Sequence, residues 1–366
     1  MKNLFLFILF FAPIPGLFAQ QDSEKQALQT LLEGQLNQDI PGILFSVQSG
    51  DGNINWSGSA GVSDRASGQN LSQDQTFRIA SVTKTFVAAS ILRLWEEGKL
   101  SLDQPISEYL SPEHAQILSQ DYDLGKISIL QVLRHNAGFF DHTHAPVFFE
   151  KVLQPGGHVW TRTEQLQLCV EAGQPIGAPG ESFSYSDTGY IILGEIIENI
   201  LGKPLGLAIP EMLDFENLRL EHTAFEGLNP QVDQERIHQY FQGQDTYSFH
   251  PSMDYFGGGG LLSTTEDLSR FFLALFHGKV FKNPGTLELM LQPVAYTSAP
   301  MMDYRIGIYR IEVNGLEAFA HAGFWGTQVV YFPSLDLAMA TNYSQIWKGR
   351  VPPVFGEALI ALGKGK

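Results

Sequence analysis

Strand-like alternation of apolar and polar residues is concentrated at the two ends of this chain and thins out between them. Near the start, "GILFSVQSGDGNINWSGSAGV" reads as two runs about an Asp51-Gly52 turn, a β-hairpin. Near the end come "YRIGIYRIEV", a turn at Asn314-Gly315, "LEAFAHAG", "GTQVVYF", a turn at Pro333 and "LDLAMATNY". A lone hairpin and a lone short meander are each too small to be stable. Together they predict one antiparallel sheet formed by N- and C-terminal segments. A helix around Ala27–Leu36 and another after Pro353 would flank it, and the middle of the chain reads as helices and loops. Within that middle, Ser263 with Glu266 has the form of a capping box opening a helix. The expected fold class is α+β. The α/β part covers about 20–100 and 294–366, and a mostly helical second lobe covers about 101–293.

The opening "MKNLFLFILFFAPIPGLFAQ" has one cation, Lys2, an apolar run from Leu4 to Phe11, and Ala19 at a cleavage-like position. It reads as a secretory signal peptide over residues 1–19, too short and too broken by Pro13 and Pro15 to span a bilayer. The expected location is secreted, and periplasmic in a cell with two membranes. No later segment is apolar for long enough to cross a membrane, so no stable membrane insertion is expected. The formal charge of −16 gives no electrostatic footprint for nucleic acid. One cysteine, Cys169, cannot make an internal disulfide and reads as a small buried residue on a helix. No repeat or low-complexity tract is present, and composition leaves the oligomeric state open.

The stretch "FRIASVTKTFVAASILRLWEEGKL" sets the chemical question. From Ser81 it reads as an amphipathic helix, with Val87, Ile91, Leu94 and Trp95 at helical spacing and Arg93, Glu96 and Glu97 opposite. Lys84 falls inside the apolar stripe, and Ser81 lies one turn before it. A snorkelling lysine and an ordinary helix-start serine are the plain account. The chemical account is that a serine hydroxyl needs a base to become a nucleophile. A desolvated amine one turn away can be that base, and the helix dipole favours the developing anion. Two further places supply what acyl transfer needs. Tyr185 stands on the Pro/Gly-rich turn "APGESFSYSD" and can relay protons. His321 ends a strand and is followed by the small Ala322 and Gly323. The next N–H, of Phe324, would join that of Ser81 as an oxyanion hole.

Ser81-Val82-Thr83-Lys84, Tyr185-Ser186-Asp187 and His321-Ala322-Gly323 resemble, in order, the three motifs of the serine β-lactamase and penicillin-binding protein superfamily. Their patterns are Ser-x-x-Lys, Tyr-x-Asn and Lys/His-x-Gly. The chain is most similar to the class C β-lactamase and D-Ala-D-Ala carboxypeptidase branch, which also includes esterases. "QVLRHNAGFFDH", "PGESFSYSDTGYIILGEII" and "GGGGLLSTTEDLSRF" support the likeness, which covers nearly all of the mature chain. It implies a sheet with a helical lobe and an acyl-enzyme without cofactor or metal. Two residues depart from the pattern. Asp187 stands where the family usually has Asn, and an ionised carboxylate cannot donate a hydrogen bond to an amide carbonyl. His321 stands where many β-lactamases have lysine, and a histidine titrating near pH ~6.5 would make activity pH-dependent.

Other constellations are weaker. Asp141-His142-Thr143-His144 has metal-type residues but no matching second cluster. Gly257–Gly260 lacks the lysine of a phosphate loop and reads as a flexible turn. Gly-x-Ser-x-Gly is absent, which argues against an α/β-hydrolase. Arg305 and Arg310 read as strand-surface charges rather than receivers of a substrate carboxylate. The expectation is a serine hydrolase with Ser81 as nucleophile, Lys84 and Tyr185 handling the proton, and Asp187, His321 and Gly323 placing a small-molecule or peptide substrate. Its bond would be a D-peptide, a β-lactam or an ester. A carboxylesterase of the same fold is one alternative, and a penicillin-binding sensor that acylates without turnover is another.

Overall fold

Both chain ends do meet in one sheet. The computed structural model describes residues 15–154, 157–234, 236–296, 302–345 and 354–365. The first strands are β1 (Gly42–Ser49), β2 (Asn55–Asp64), β3 (Gln69–Asn70) and β4 (Phe77–Arg78). β5 (Ala224–Phe225), β6 (Tyr240–Phe241), β7 (Gln244–Asp245) and β8 (Leu261–Ser263) lie mid-chain. The last are β9 (Asp303–Tyr304), β10 (Tyr309–Val313), β11 (Leu316–Gly323), β12 (Thr327–Phe332) and β13 (Leu337–Tyr343). The main sheet runs β3-β2-β1-β13-β12-β11-β10-β9, so β1 and β13 join the two ends of the chain antiparallel, with Leu44 opposite Asn342.

β1 and β13 are buried almost throughout, because helices cover both faces of the sheet centre. On one face, α1 (Pro15–Gln35) and a C-terminal helix (Val354–Ala361) pack Leu28, Leu32 and Phe355 against Phe45 and Val47. On the other face lies the helix Thr265–Phe276. There Ser46 Oγ donates to the Thr265 carbonyl at 2.6 Å, and Gln48 Nε2 donates to the Glu266 carbonyl at 3.1 Å. The polar positions of the β1 alternation therefore meet helix backbone instead of water. That helix falls in the stretch assigned to the helical lobe, yet it packs on the sheet. Its cap is also one residue later than expected. Thr264 accepts from the Asp267 N–H at 3.1 Å, while Ser263 belongs to β8. The N-terminal helix extends well before Ala27, and the cleavage-like Ala19 lies within its span; residues 1–14 of the leader lie outside the described residues.

The run expected as one strand from Tyr304 to Val313 is broken at Gly307. Its φ is +68°, and a Cβ there would lie 2.4 Å from the Ala88 Cβ. Its carbonyl accepts from Thr85 Oγ1 at 2.7 Å, which ties the sheet to the helix α2 (Thr83–Glu96). Residues Thr83 to Leu92 of α2 are all buried. It is a central helix enclosed on all sides rather than an amphipathic surface one. Burial of Phe86, Val87, Ile91 and Leu92 contributes about 1.5–3 kcal/mol per side chain. The helix α3 (Asp187–Leu201) packs against α2, and Gly202, at φ +66°, ends it. Cys169 is free and buried, as its setting predicted. Among the described residues no helix is long and apolar enough to cross a membrane.

Candidate active site

The position of Ser81 is set by a short secondary sheet. β4 pairs with β8, which pairs with β5 on its other side. From β4 the chain enters a tight 3-10 turn, Ala80–Val82, so Ser81 precedes α2 instead of lying in its first α-helical turn. Ala80 has φ +44°, a left-handed conformation that costs an alanine about 1–2 kcal/mol. The surroundings hold it there. The Ile79 N–H donates to the Leu261 carbonyl at 3.0 Å, and Gly323 presses on the other side. A Cβ on Gly323 would sit 2.1 Å from the Ile79 carbonyl oxygen and 3.4 Å from the Ala80 Cβ. Only glycine lets β11 approach the serine turn this closely.

Arg78 anchors the same segment from below. Its buried guanidinium meets Glu226 at 2.7 and 2.9 Å and donates to the Thr246 and Phe249 carbonyls at 3.1 and 2.6 Å. Gln239 clips the Arg78 backbone, accepting from its N–H at 2.9 Å and donating to its carbonyl at 3.2 Å.

Lys84 is fully buried, and its Nζ lies 3.0 Å from Ser81 Oγ. The same amine donates to the Gly258 carbonyl at 2.7 Å and forms an ion pair with the Asp187 carboxylate. The lysine foreseen as a desolvated lone base thus has an acidic partner. Burial holds the Asp187 carboxyl above the ordinary carboxylate range, with the Lys84 charge pulling the other way. The Tyr185 phenol meets the Ser81 hydroxyl, and its ring centroid is 5.0 Å from the Lys84 amine. Burial, reinforced by Asp187, pushes this phenol well above its usual range. Ser81, Tyr185 and Asp187 are partly exposed while Lys84 is closed off, so the group opens to solvent on the serine side.

His321 joins the group from β11, but not as a titrating switch. Burial, with the Lys84 charge adding to it, pushes the imidazole down to about 3. It is neutral throughout the range in which its ordinary value had suggested a pH response. Its Nδ1 lies 2.9 Å from the Ala322 carbonyl, which makes that nitrogen the N–H bearer. β10 stops pairing with β11 at Ala320, so His321, Ala322 and Gly323 continue past it toward the serine turn. The N–H of Phe324, after Gly323, and that of Ser81, after Ala80, therefore stand on touching segments.

Several participants had no clear signal in the sequence. The Gly257–Gly260 run is a packed element, not a flexible turn. Gly257 (φ +122°) abuts the Tyr190 carbonyl, Gly258 abuts Asp187, and Gly258 presents its carbonyl to Lys84. Asp254 accepts from Trp325 Nε1 at 3.1 Å, and burial together with the Asp187 charge pushes its carboxyl up to about 6. His135 lies against the Tyr185 ring at 4.2 Å, and its Nδ1 accepts from the Ser186 N–H. The stretches "GGGGLLSTTEDLSRF" and "QVLRHNAGFFDH" marked these places without assigning them roles. Other readings resolve structurally. Asp141 caps the Thr143 N–H and His142 bonds to Thr188 Oγ1. Arg305 is buried between β9 and β10 rather than a strand-surface charge and pairs with Asp303, while Arg310 is exposed on β10 as expected and pairs with Glu317.

A family model described as Beta-lactamase matches residues 24–350. The chain belongs to the Beta-lactamase family. Members of this family are serine hydrolases, and the residues of the three motifs are the ones that converge here. The chain is 23% identical to "N-acetylmuramyl-L-alanine amidase" of Bacillus subtilis (strain 168), over 88% of this chain and 81% of the relative. It is 29% identical to "Esterase EstB" of Burkholderia gladioli, a match confined to 49% of this chain and 46% of that one. Among solved structures, a D-stereospecific amidohydrolase from Streptomyces sp. superposes with a TM-score of 0.77 at 26% identity, covering 90% of this chain and 97% of that one. The architecture of this Beta-lactamase-family hydrolase, antiparallel sheet and helical lobe, is that of the β-lactamase and transpeptidase fold.

Proposed function

We propose that this serine hydrolase cleaves ester bonds in preference to amide and β-lactam bonds, through an acyl group carried on Ser81, and that it acts after export. The observation that carries the preference is the Lys84–Asp187 pair. A carboxylate engaged with the base occupies the place where an amide donor would read the substrate's own amide. The relatives' names, an esterase and amidases, support the range of bonds considered.

In the proposed sequence Ser81 Oγ bonds to the substrate carbonyl carbon as its proton passes to Lys84, directly or by way of Tyr185. Asp187 can take up the proton that Lys84 carries at rest, which leaves the amine free to accept. The N–H groups of Ser81 and Phe324 stabilise the tetrahedral oxyanion. The C–O bond to the leaving group breaks as Tyr185 or Lys84 protonates the departing oxygen. Water then attacks the acyl carbon, gives its proton to the same base, and Ser81 leaves with a proton restored. His321 stays neutral and shapes the β11 backbone. The acidic surface suits a diffusible small substrate better than an anionic polymer.

The test is turnover of a 4-nitrophenyl ester, a chromogenic cephalosporin and a D-Ala-D-Ala peptide, with Ser81→Ala as control. Multiple turnovers of the ester, lost in the variant, support the proposal. One acyl group bound per chain without release means a binder or sensor, and faster cleavage of the cephalosporin or peptide removes the ester preference. Asp187→Asn supplies an amide donor, and one neutral hydrogen bond is worth about 0.5–1.5 kcal/mol. The amide-to-ester ratio of kcat/KM is therefore expected to rise about three- to tenfold in that variant. An unchanged ratio would show that position 187 does not read the substrate.

A further inference from the structure

Three phenylalanines from separate segments meet beside the serine turn. Phe149 comes from the helix Pro146–Val152, Phe241 from β6, and Phe324 is the residue whose N–H serves the oxyanion hole. Their ring centroids lie 6.2 Å (Phe149–Phe241), 5.8 Å (Phe149–Phe324) and 5.2 Å (Phe241–Phe324) apart. All three are only half-buried, and they pack on a cluster that includes Ala80, the residue before the nucleophile. The wall is therefore continuous with the catalytic group rather than a separate surface patch. It is held from behind, since Phe324 contacts Trp325 at 4.8 Å and Trp325 is bonded to Asp254. A rigid apolar face of this kind gains free energy when a flat apolar group displaces water from it.

The charges around the serine work in the same direction. Besides Lys84, the groups acting on Asp187 are Asp141 and His142, and Asp254 lies close enough to feel its charge. Lys84 is taken by Asp187, and the exposed Arg310 by Glu317. An anionic substituent beside Ser81 would meet the Asp187 carboxylate.

We infer that the Phe149–Phe241–Phe324 wall is an acyl-side subsite that selects uncharged aromatic acyl groups, such as an arylacetyl ester. The acyl side is part of the inference, and holding the leaving group constant while the acyl group changes tests it. The inference rests on the ester-hydrolase reading given above and names its substrate class.

The experiment compares 4-nitrophenyl phenylacetate with 4-nitrophenyl acetate, which share a leaving group, in the wild-type protein and in Phe149→Ala/Phe241→Ala. Phenylacetate is expected to be preferred in kcat/KM by about tenfold or more. The double variant is expected to lose most of that preference with acetate turnover little changed. Binding of benzylboronic and methylboronic acids, measured calorimetrically, reads the same subsite without turnover, because boron adds to the serine hydroxyl. Benzylboronic acid should bind the wild type at least about tenfold more tightly, and the difference should shrink in the variant. Turnover of both esters, or binding of both boronic acids, with no aromatic preference overturns the subsite and leaves the hydrolase reading intact. No turnover and no boronic acid binding overturns both. Equal losses on both esters, with the folded content unchanged by circular dichroism, show that the rings support the fold and not the substrate.

Discussion

Lys84→Ala is expected to lower kcat/KM toward a 4-nitrophenyl ester by about 10²–10⁴-fold, the span over which a positioned base contributes. Ser81→Ala is expected to lower it further, on the order of 10⁶-fold, because on the proposed path the covalent step itself is gone. The lysine result carries a second signature that a passive structural role would not give. Without the ammonium, Asp187 is left among Asp141, Asp254 and apolar surface, with its main opposing charge removed. Its folded-state pKa, already raised, then rises further above the unfolded value. An acid in that state binds more protons folded than unfolded, so stability falls as pH rises. Lys84→Ala should therefore melt at progressively lower temperature, relative to the wild type, as pH increases from about 5 to 8. Lys84→Ala/Asp187→Asn removes the buried acid and should recover the melting temperature at pH 8 while remaining inactive. A pH-independent loss in the single variant would mean that Asp187 does not depend on Lys84 for its charge.

Arg78→Met has the largest expected effect on stability, a loss of about 3–5 kcal/mol in urea unfolding, as for other buried pairs broken from one side. The guanidinium is 4% exposed and the Glu226 side chain 10%, so solvent cannot replace the lost partner. Arg236, 3.4 Å from Glu226, keeps part of the compensation, which favours the lower end of that range. The carbonyls of Thr246 and Phe249 also lose their donor. Adding Glu226→Gln should return part of the loss by removing the uncompensated charge. Activity should fall with stability in the single variant, because Arg78 leads directly into Ile79 and the strained Ala80. A change under about 1 kcal/mol would show that the rest of the network holds this segment without the arginine.

Much of this arrangement was legible before any coordinates. Ser81, Lys84, Tyr185, His321 and Gly323 carried a chemical logic in their types and spacing, Asp187 entered by its place in the second family motif, and they do converge. The sheet of joined chain ends was legible for a simple reason: strands at each end had no other partners of their own kind. What stayed hidden depends on contacts between distant segments. The pairing of Lys84 with Asp187 and of Lys84 with the Gly258 carbonyl brings together three separate parts of the chain. His321 read as a titrating group because an isolated imidazole is one, and only its enclosure shows otherwise. The helix cap moved from Ser263 to Thr264 because both hydroxyls precede an acid at a suitable distance. β1 reads as alternating, yet its polar residues are met by helix backbone, which a one-dimensional pattern cannot anticipate.

The central pairing of β1 with β13 also fixes when the enzyme can come into being. Thr341 Oγ1 bonds to the Leu44 carbonyl across 297 residues, and the turn carrying Ser81 is braced by Gly323 from the far end of the chain. A nascent polypeptide still lacking its last strands has Ser81 but neither the brace of Gly323 nor the N–H of Phe324. Maturation thus waits for termination of synthesis and the slow closure of very long-range contacts. Until then the turn that carries Ser81 stands without its support from the far end of the chain.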